Sequence, residues 1–380
     1  MSHPLDILLD RLHGKADPVA DEVVADLFRT GQVARINDAL DHLSGNAQEL
    51  PAGLPARLSE YLGSTAVLPP DADPDRIRRA QDAFAAHGVA LGVALMYASL
   101  PSLYAGALGG VQILAMTGQL KDHYRRRAAE TLRFILDVME PGALEPGGKG
   151  IRATQKVRLM HATIRHFARV SGRWAALPEW GAPINQEELL GTLLSFSSLA
   201  VDNAARLGSR LSDAEAEDLL HAWGVVGAIL GVDPEGIPKR MPEARAIWKR
   251  ISSRNFAPTP EGRDLARDHV AFLDELVPGQ VLSGINLALS RWLMGPDVAA
   301  RCLGLPRERW WIRLVRLVVP LLGLADRFLE SSGPVEKLVE GIHLQLMEGL
   351  DRHWAEGKSL PFRLPTAMGP RGTVTEGGGP

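Results

Sequence analysis

Lys149-Gly-Ile-Arg-Ala-Thr-Gln-Lys-Val-Arg-Leu-Met-His-Ala-Thr-Ile-Arg-His-Phe-Ala-Arg-Val-Ser-Gly172 reads as one helix that a glycine stops. Val157, Met160, Ile164 and Phe167 recur at helical spacing, and His161 falls among them, so the imidazole points inward. Arg158, Arg165 and Arg169 border that face at positions i−3, i+4 and i+8 from the histidine. His166, five positions on, is turned away, so the two histidines cannot chelate one metal from a single face.

Outward from this segment the same helical grammar recurs, and period-2 runs rich in β-branched residues are nearly absent, which predicts an all-α fold. Asn185-x-x-Glu188 and Ser212-x-x-Glu215 are capping boxes, in which a side-chain oxygen and a glutamate answer otherwise unpaired N–H groups. Met241-Pro242 and Thr259-Pro260 put proline at helix starts, and Gly172, Gly208 and Gly231 stand where helices end. Gly88 to Leu120 carries no Asp, Glu, Lys, Arg or His. It predicts two buried helices, Val89 to Leu100 and Ser102 to Thr117, broken at Pro101, rather than a membrane span.

The organisation expected is an N-terminal helical region (1–70) packed on the core, a main helical domain (71–330), a C-terminal helix (331–360) and a disordered Gly/Pro/Thr-rich tail (361–380). With 42 Lys+Arg against 45 Asp+Glu and no basic block, nucleic acid is excluded as a partner. The single cysteine, Cys302, rules out an internal disulfide, and no C-x-x-C-H is present for covalent haem attachment. A start without a basic n-region and apolar core points to a cytoplasmic protein with no transmembrane span. Arg307 to Val319, with Trp310 and Trp311 among arginines, would permit peripheral membrane contact, although a core helix with solvated arginines is the favoured reading. The oligomeric state is not encoded in any motif.

An inward imidazole flanked by cations suits a haem, an apolar macrocycle with two propionates at its edge. It equally suits a core histidine with a satisfied hydrogen bond. Glu340-x-x-His343 with the imperfect Asp218-x-x-His221 outlines a di-iron carboxylate site, and Arg301-Cys302-Leu303-Gly304 echoes a thiolate loop without its leading phenylalanine. A haem- or lipid-carrying protein without turnover is a further alternative.

Several motifs in order bear on that choice. Gly147-Gly148-x-Gly150, Val157-Arg158-Leu159-Met160-His161-Ala162-x-x-Arg165, Gly172-x-Trp174 and Gly181-x-Pro183-Ile184-Asn185-Gln186-Glu187-Glu188-Leu189 together resemble the latex-clearing protein superfamily. Leu114-x-x-Thr117-Gly118-x-Leu120 and Trp223-x-x-x-Gly227-x-x-Leu230-Gly231-Val232 extend the resemblance over roughly residues 75 to 330. That superfamily holds rubber oxygenases and the mycophenolic acid pathway oxygenase. The resemblance implies a globin-like helical core and a non-covalent haem b, with His161 as the proximal iron ligand. Arg158 and Arg165 would support the haem, and Thr117 would stand on the distal side where dioxygen binds. It departs from the rubber-oxygenase pattern at Met116 and Ile113, where that pattern has a lysine and an arginine, and around Tyr97 to Ser99, where it has a glutamate. An apolar distal pocket and a smaller lipophilic substrate, an isoprenoid or natural-product intermediate, are therefore expected, with Lys121 or Lys149 as the nearest cations.

Overall fold

In the computed structural model, residues 4–116, 124–172, 174, 177–276, 284–307, 362–368 and 374–375 are described, and helices dominate them. The N-terminal quarter is α1 (Pro4–His13), α2 (Pro18–Arg29), α3 (Val33–His42), α4 (Ala56–Ser64) and α5 (Pro74–Ala86). Then come α6 (Gly88–Ala94), α7 (Leu100–Leu103), α8 (Gly110–Met116), α9 (Tyr124–Met139) and α10 (Gly150–Val170). The remainder is α11 (Gln186–Leu194), α12 (Ala200–Arg206), α13 (Asp213–Ile229), α14 (Met241–Asn255), α15 (Pro260–Leu276) and α16 (Ile285–Met294). The strands among the described residues are one short antiparallel pair, Ala367–Met368 against Val374–Thr375. The fold is all-α, as the sequence predicts.

Local signals account for the helix ends. Asp17 caps α2, accepting from Ala20 N–H, with Pro18 at the first helical position. Ser212 and Glu215 close a full capping box on α13. Gly172, Gly208 and Gly231 follow α10, α12 and α13 with positive φ, the left-handed step that ends a helix.

Pro101 does not break the chain where expected. Helix continues from Gly88 to Leu103, and the interruption falls after it. A π turn, Leu95–Ser99, explains this: the Leu100 N–H reaches back five residues to Leu95 O, so the ladder has already shifted before the proline arrives. The shift leaves Met96 O without its usual partner, and His269 Nε2 meets it at 2.8 Å. A second π turn, Ser195–Leu199, joins α11 to α12 and lies against the first, where Ser99 Oγ donates to Ser195 O at 2.6 Å. No single helix among the described residues is long and apolar enough to cross a membrane; α5 and the helix at 88–103 meet at 84°.

Helix α10 is central to the packing. Leu159 and Ala162 join Val24, Leu27, Ile36, Leu40 and Leu58 in an N-terminal cluster. Ile151 and Ala168 join the largest cluster, with Ile113, Trp174, Leu189 and Trp223, and Ile164 packs against it. The C-terminal stretches expected to form helices at 308–361 lie outside the described residues.

Candidate functional site

His161 sits at mid-length of α10. The face that bears it, Val157, Met160, His161 and Ile164 at i, i+3, i+4 and i+7, is half-buried residue by residue, whereas Arg158, Leu159, Ala162, Thr163 and Arg165 are buried. His161 is deeply set, with half-buried apolar neighbours along its own helix face. Burial first, and the Arg165 charge second, push its pKa down to about 4, so the ring is neutral and able to ligate a metal. Its Nδ1 is buried with no hydrogen-bond partner among the described residues. No carbonyl or carboxylate among the described residues orients the ring through that nitrogen.

The flanking arginines pair with carboxylates at and near the start of α2. Arg158 donates to both oxygens of Asp17, at 2.7 and 2.8 Å, and to Ile229 O at 3.0 Å. Arg165 Nε donates to Asp21 Oδ1 at 2.6 Å, and Arg169 to Asp21 Oδ2 at 2.8 Å. Arg158 is thus answered by Asp17 and braces α10 against the start of α2, whereas Arg165, bonded to Asp21 through Nε, keeps Nη1 and Nη2 buried without a hydrogen-bond partner among the described residues. His166 stacks on Phe28, ring centroids 4.3 Å apart and planes 8° apart, consistent with its turn away from His161.

Thr117 and Lys121 lie outside the described residues. Ile113 is buried in the main cluster, and Lys149 pairs with Asp137 and Glu140 at 3.1 and 3.2 Å, away from any pocket role. Tyr97 and Ser99 are fully buried, and Tyr97 donates to Asn286 at 2.7 Å.

The donors of the competing metal constellations that fall among the described residues are engaged or buried. Asp218 binds Arg76 and Arg79, both at 2.7 Å, and His221 Nε2 accepts from the Asp73 N–H at 2.9 Å. Glu340 and His343 lie outside the described residues. Cys302 is wholly buried among apolar side chains, and burial pushes its thiol up, away from the thiolate a metal needs.

Glu188, read in the sequence as a capping partner and as part of the family motif, takes another place. Asn185 Oδ1 accepts from the Glu188 N–H at 3.0 Å as predicted, but Glu188 does not close the box. Its carboxyl lies at the start of α8, where a Cβ on Gly109 would come within 2.6 Å of Oε1 and 3.2 Å of the Trp174 ring. Oε1 is buried without a hydrogen-bond partner among the described residues. The adjacent Glu187 lies within ion-pair distance of Arg254 Nε, at 3.0 Å, and His13 Nδ1, at 3.2 Å.

Fold and site together define an all-α oxygenase, on the strength of three comparisons. The profile described as "ER-bound oxygenase mpaB/B'/Rubber oxygenase, catalytic domain" matches residues 77–323. A rubber oxygenase from Streptomyces sp. (strain K30) is 30% identical over 355 residues, 93% of this chain and 86% of that protein. The solved structure of latex clearing protein LCP in the closed state superposes with a TM-score of 0.80 at 26% identity, covering 93% of this chain and 94% of that one. The chain belongs to the mpaB and rubber oxygenase family. As an oxygenase, it acts with dioxygen on a small-molecule substrate.

Proposed function

We propose that this oxygenase is haem-dependent, with a haem b iron held by His161 and a lipophilic substrate, an isoprenoid or a natural-product intermediate. The observation that carries the reading is the His161 ring: neutral, deeply set on a half-buried apolar helix face, and holding an Nδ1 with no hydrogen-bond partner among the described residues. Those features fit an axial ligand beside a flat apolar group. When bound, the haem would supply the one-electron and dioxygen chemistry that amino-acid side chains lack.

The chain's own residues would do the rest. Arg158 and Arg165 hold α10 against α2, which fixes where the imidazole stands. Val157, Met160 and Ile164 line the wall beside it and exclude water. Thr117 is assigned to the distal side, next to the dioxygen. The apolar residues at Ile113 and Met116 favour a small lipophile over a long polymer that needs a charged distal base.

The test is an absorption spectrum of the purified chain beside His161→Gly, with and without imidazole. A Soret band in the parent, lost in the variant and restored by imidazole while helicity is unchanged, is the expected result. A colourless parent after expression with ample haem defeats the proposal.

A further inference from the structure

Helix α3 buries Val33, Ile36, Asn37 and Leu40 at i, i+3, i+4 and i+7, so one amide stands in an otherwise apolar stripe. Asn37 is 4% exposed, and what answers it comes from the far end of the chain. Its Nδ2 donates to Leu364 O at 3.0 Å, and its Oδ1 accepts from the Leu364 N–H at 2.8 Å. An extended residue offers its N–H and C=O on the same side, so the Asn37 side chain takes the place of a neighbouring strand. Pro365 favours that geometry, because the residue before a proline is held away from the helical region.

Other side chains complete a recognition surface. Leu364 is 1% exposed and lies in the N-terminal cluster with Leu40, Leu58, Leu159 and Ala162, and Pro365 is buried as well. Asp41 Oδ1 accepts from the Phe362 N–H at 3.0 Å, and Lys156 Nζ stands over the Phe362 ring, 5.5 Å from its centroid. Arg363 is exposed, 3.6 Å from Asp38, a pairing that contributes little. Backbone is thus read by Asn37 and Asp41, and side chains by a leucine pocket and a cation over an aromatic face, which is how proteins bind extended peptides. Lys156, Leu159 and Ala162 belong to α10, so the segment bridges α3 and the helix that carries His161.

Helix packing alone does not require this arrangement. An aliphatic residue at 37 would continue the stripe, whereas an amide there has its donor and its acceptor both stranded whenever the segment leaves. We propose that α3 and α10 form a peptide-recognition site for an extended Phe-x-Leu-Pro sequence, and that residues 362–365 occupy it as a clasp that a peptide of the same sequence can replace in trans. The site is independent of the oxygenase chemistry proposed above.

The experiment follows melting of the full-length protein with a blocked synthetic peptide of residues 361–366, Pro-Phe-Arg-Leu-Pro-Thr, and with the same peptide carrying glutamate in place of leucine. Leu364→Glu puts a carboxylate at a buried apolar position and should detach the clasp, lowering the melting temperature by about 3–8 °C. The leucine peptide should then raise that temperature saturably, as a ligand of the folded state does, and bind at least about tenfold tighter than the glutamate peptide. The parent protein should respond far less, since its own segment competes from within the same molecule. Asn37→Leu, added to the Leu364→Glu protein, should abolish the rescue while helicity persists. Leu364→Ala repeats the test should the charged variant fail to fold. A Leu364→Glu protein that melts with the parent, or melts lower yet responds to neither peptide or equally to both, overturns the proposal. So does a parent that responds as strongly as the variant, or a rescue that survives Asn37→Leu.

Discussion

Arg158 and Asp17 form a two-pronged buried pair, with Nε and Nη2 at 2.7 and 2.8 Å from the carboxylate oxygens. The same guanidinium reaches Ile229 O at the end of α13, so three helices meet on one side chain. Gly231 makes the meeting possible, since a Cβ there would come within 2.6 Å of Arg158 Nε and 2.7 Å of Asp17 Oδ2. The histidine three residues on thus stands on a helix whose position is set by a charge pair facing the other way.

Arg158→Met should therefore destabilise the fold by about 2–4 kcal/mol, because it leaves the buried Asp17 carboxylate with only Arg165, at 3.7 Å, and its capping bond. Adding Asp17→Asn keeps a capping oxygen on α2 and removes the stranded charge, so the double variant should recover part of the loss. Urea unfolding of the parent, the single and the double variant reads this directly, and an arginine loss under about 1 kcal/mol would show that the pair contributes little, as exposed pairs do.

Gly109 carries two constraints, a φ of +116° and the carboxyl of Glu188 at 2.6 Å from its missing Cβ. Gly109→Ala should cost about 1–3 kcal/mol from the backbone alone, with the clash in addition. Combining it with Glu188→Ala should relieve the clash but not the backbone strain. Thermal denaturation of the two variants should rank the double above the single and below the parent; a single variant melting with the parent contradicts the crowding described.

His13 ties α1 to α11 through Glu187, whose hydrogen bond is the main cause raising the histidine above its ordinary 6.5 despite burial. A raised folded-state pKa favours the charged ring, so folding takes up a proton between the unfolded and folded pKa values. The stabilisation is complete below pH 6.5 and is lost as pH rises through the folded pKa. The stability gap between the parent and His13→Gln should narrow from pH 5.5 to pH 8.5 in parallel urea titrations. A gap that widens with pH would mean that the neutral ring is the stabilising form.

The helices were legible in the residues because their signals are local. Asp17, Ser212 and Asn185 cap within three positions, Gly172 and Gly231 end helices within one step, and the apolar face of 149–172 repeats every turn. The inward direction of His161 follows from the same periodicity. What lies opposite a side chain does not, since it depends on where a distant segment packs. Arg158 meets Asp17, 141 positions away, a pairing no spacing in the chain announces. Pro101 stayed within a helix because a π turn two residues earlier had already shifted the ladder, an event decided by packing against a second π turn at Ser195–Leu199. Glu188 is the clearest case: the sequence set its backbone N–H on Asn185, and the tertiary structure chose where its carboxyl went. Hydrogen bonds along a chain are fixed by spacing, whereas burial of a charge or an acid is fixed by the neighbours that folding brings to it.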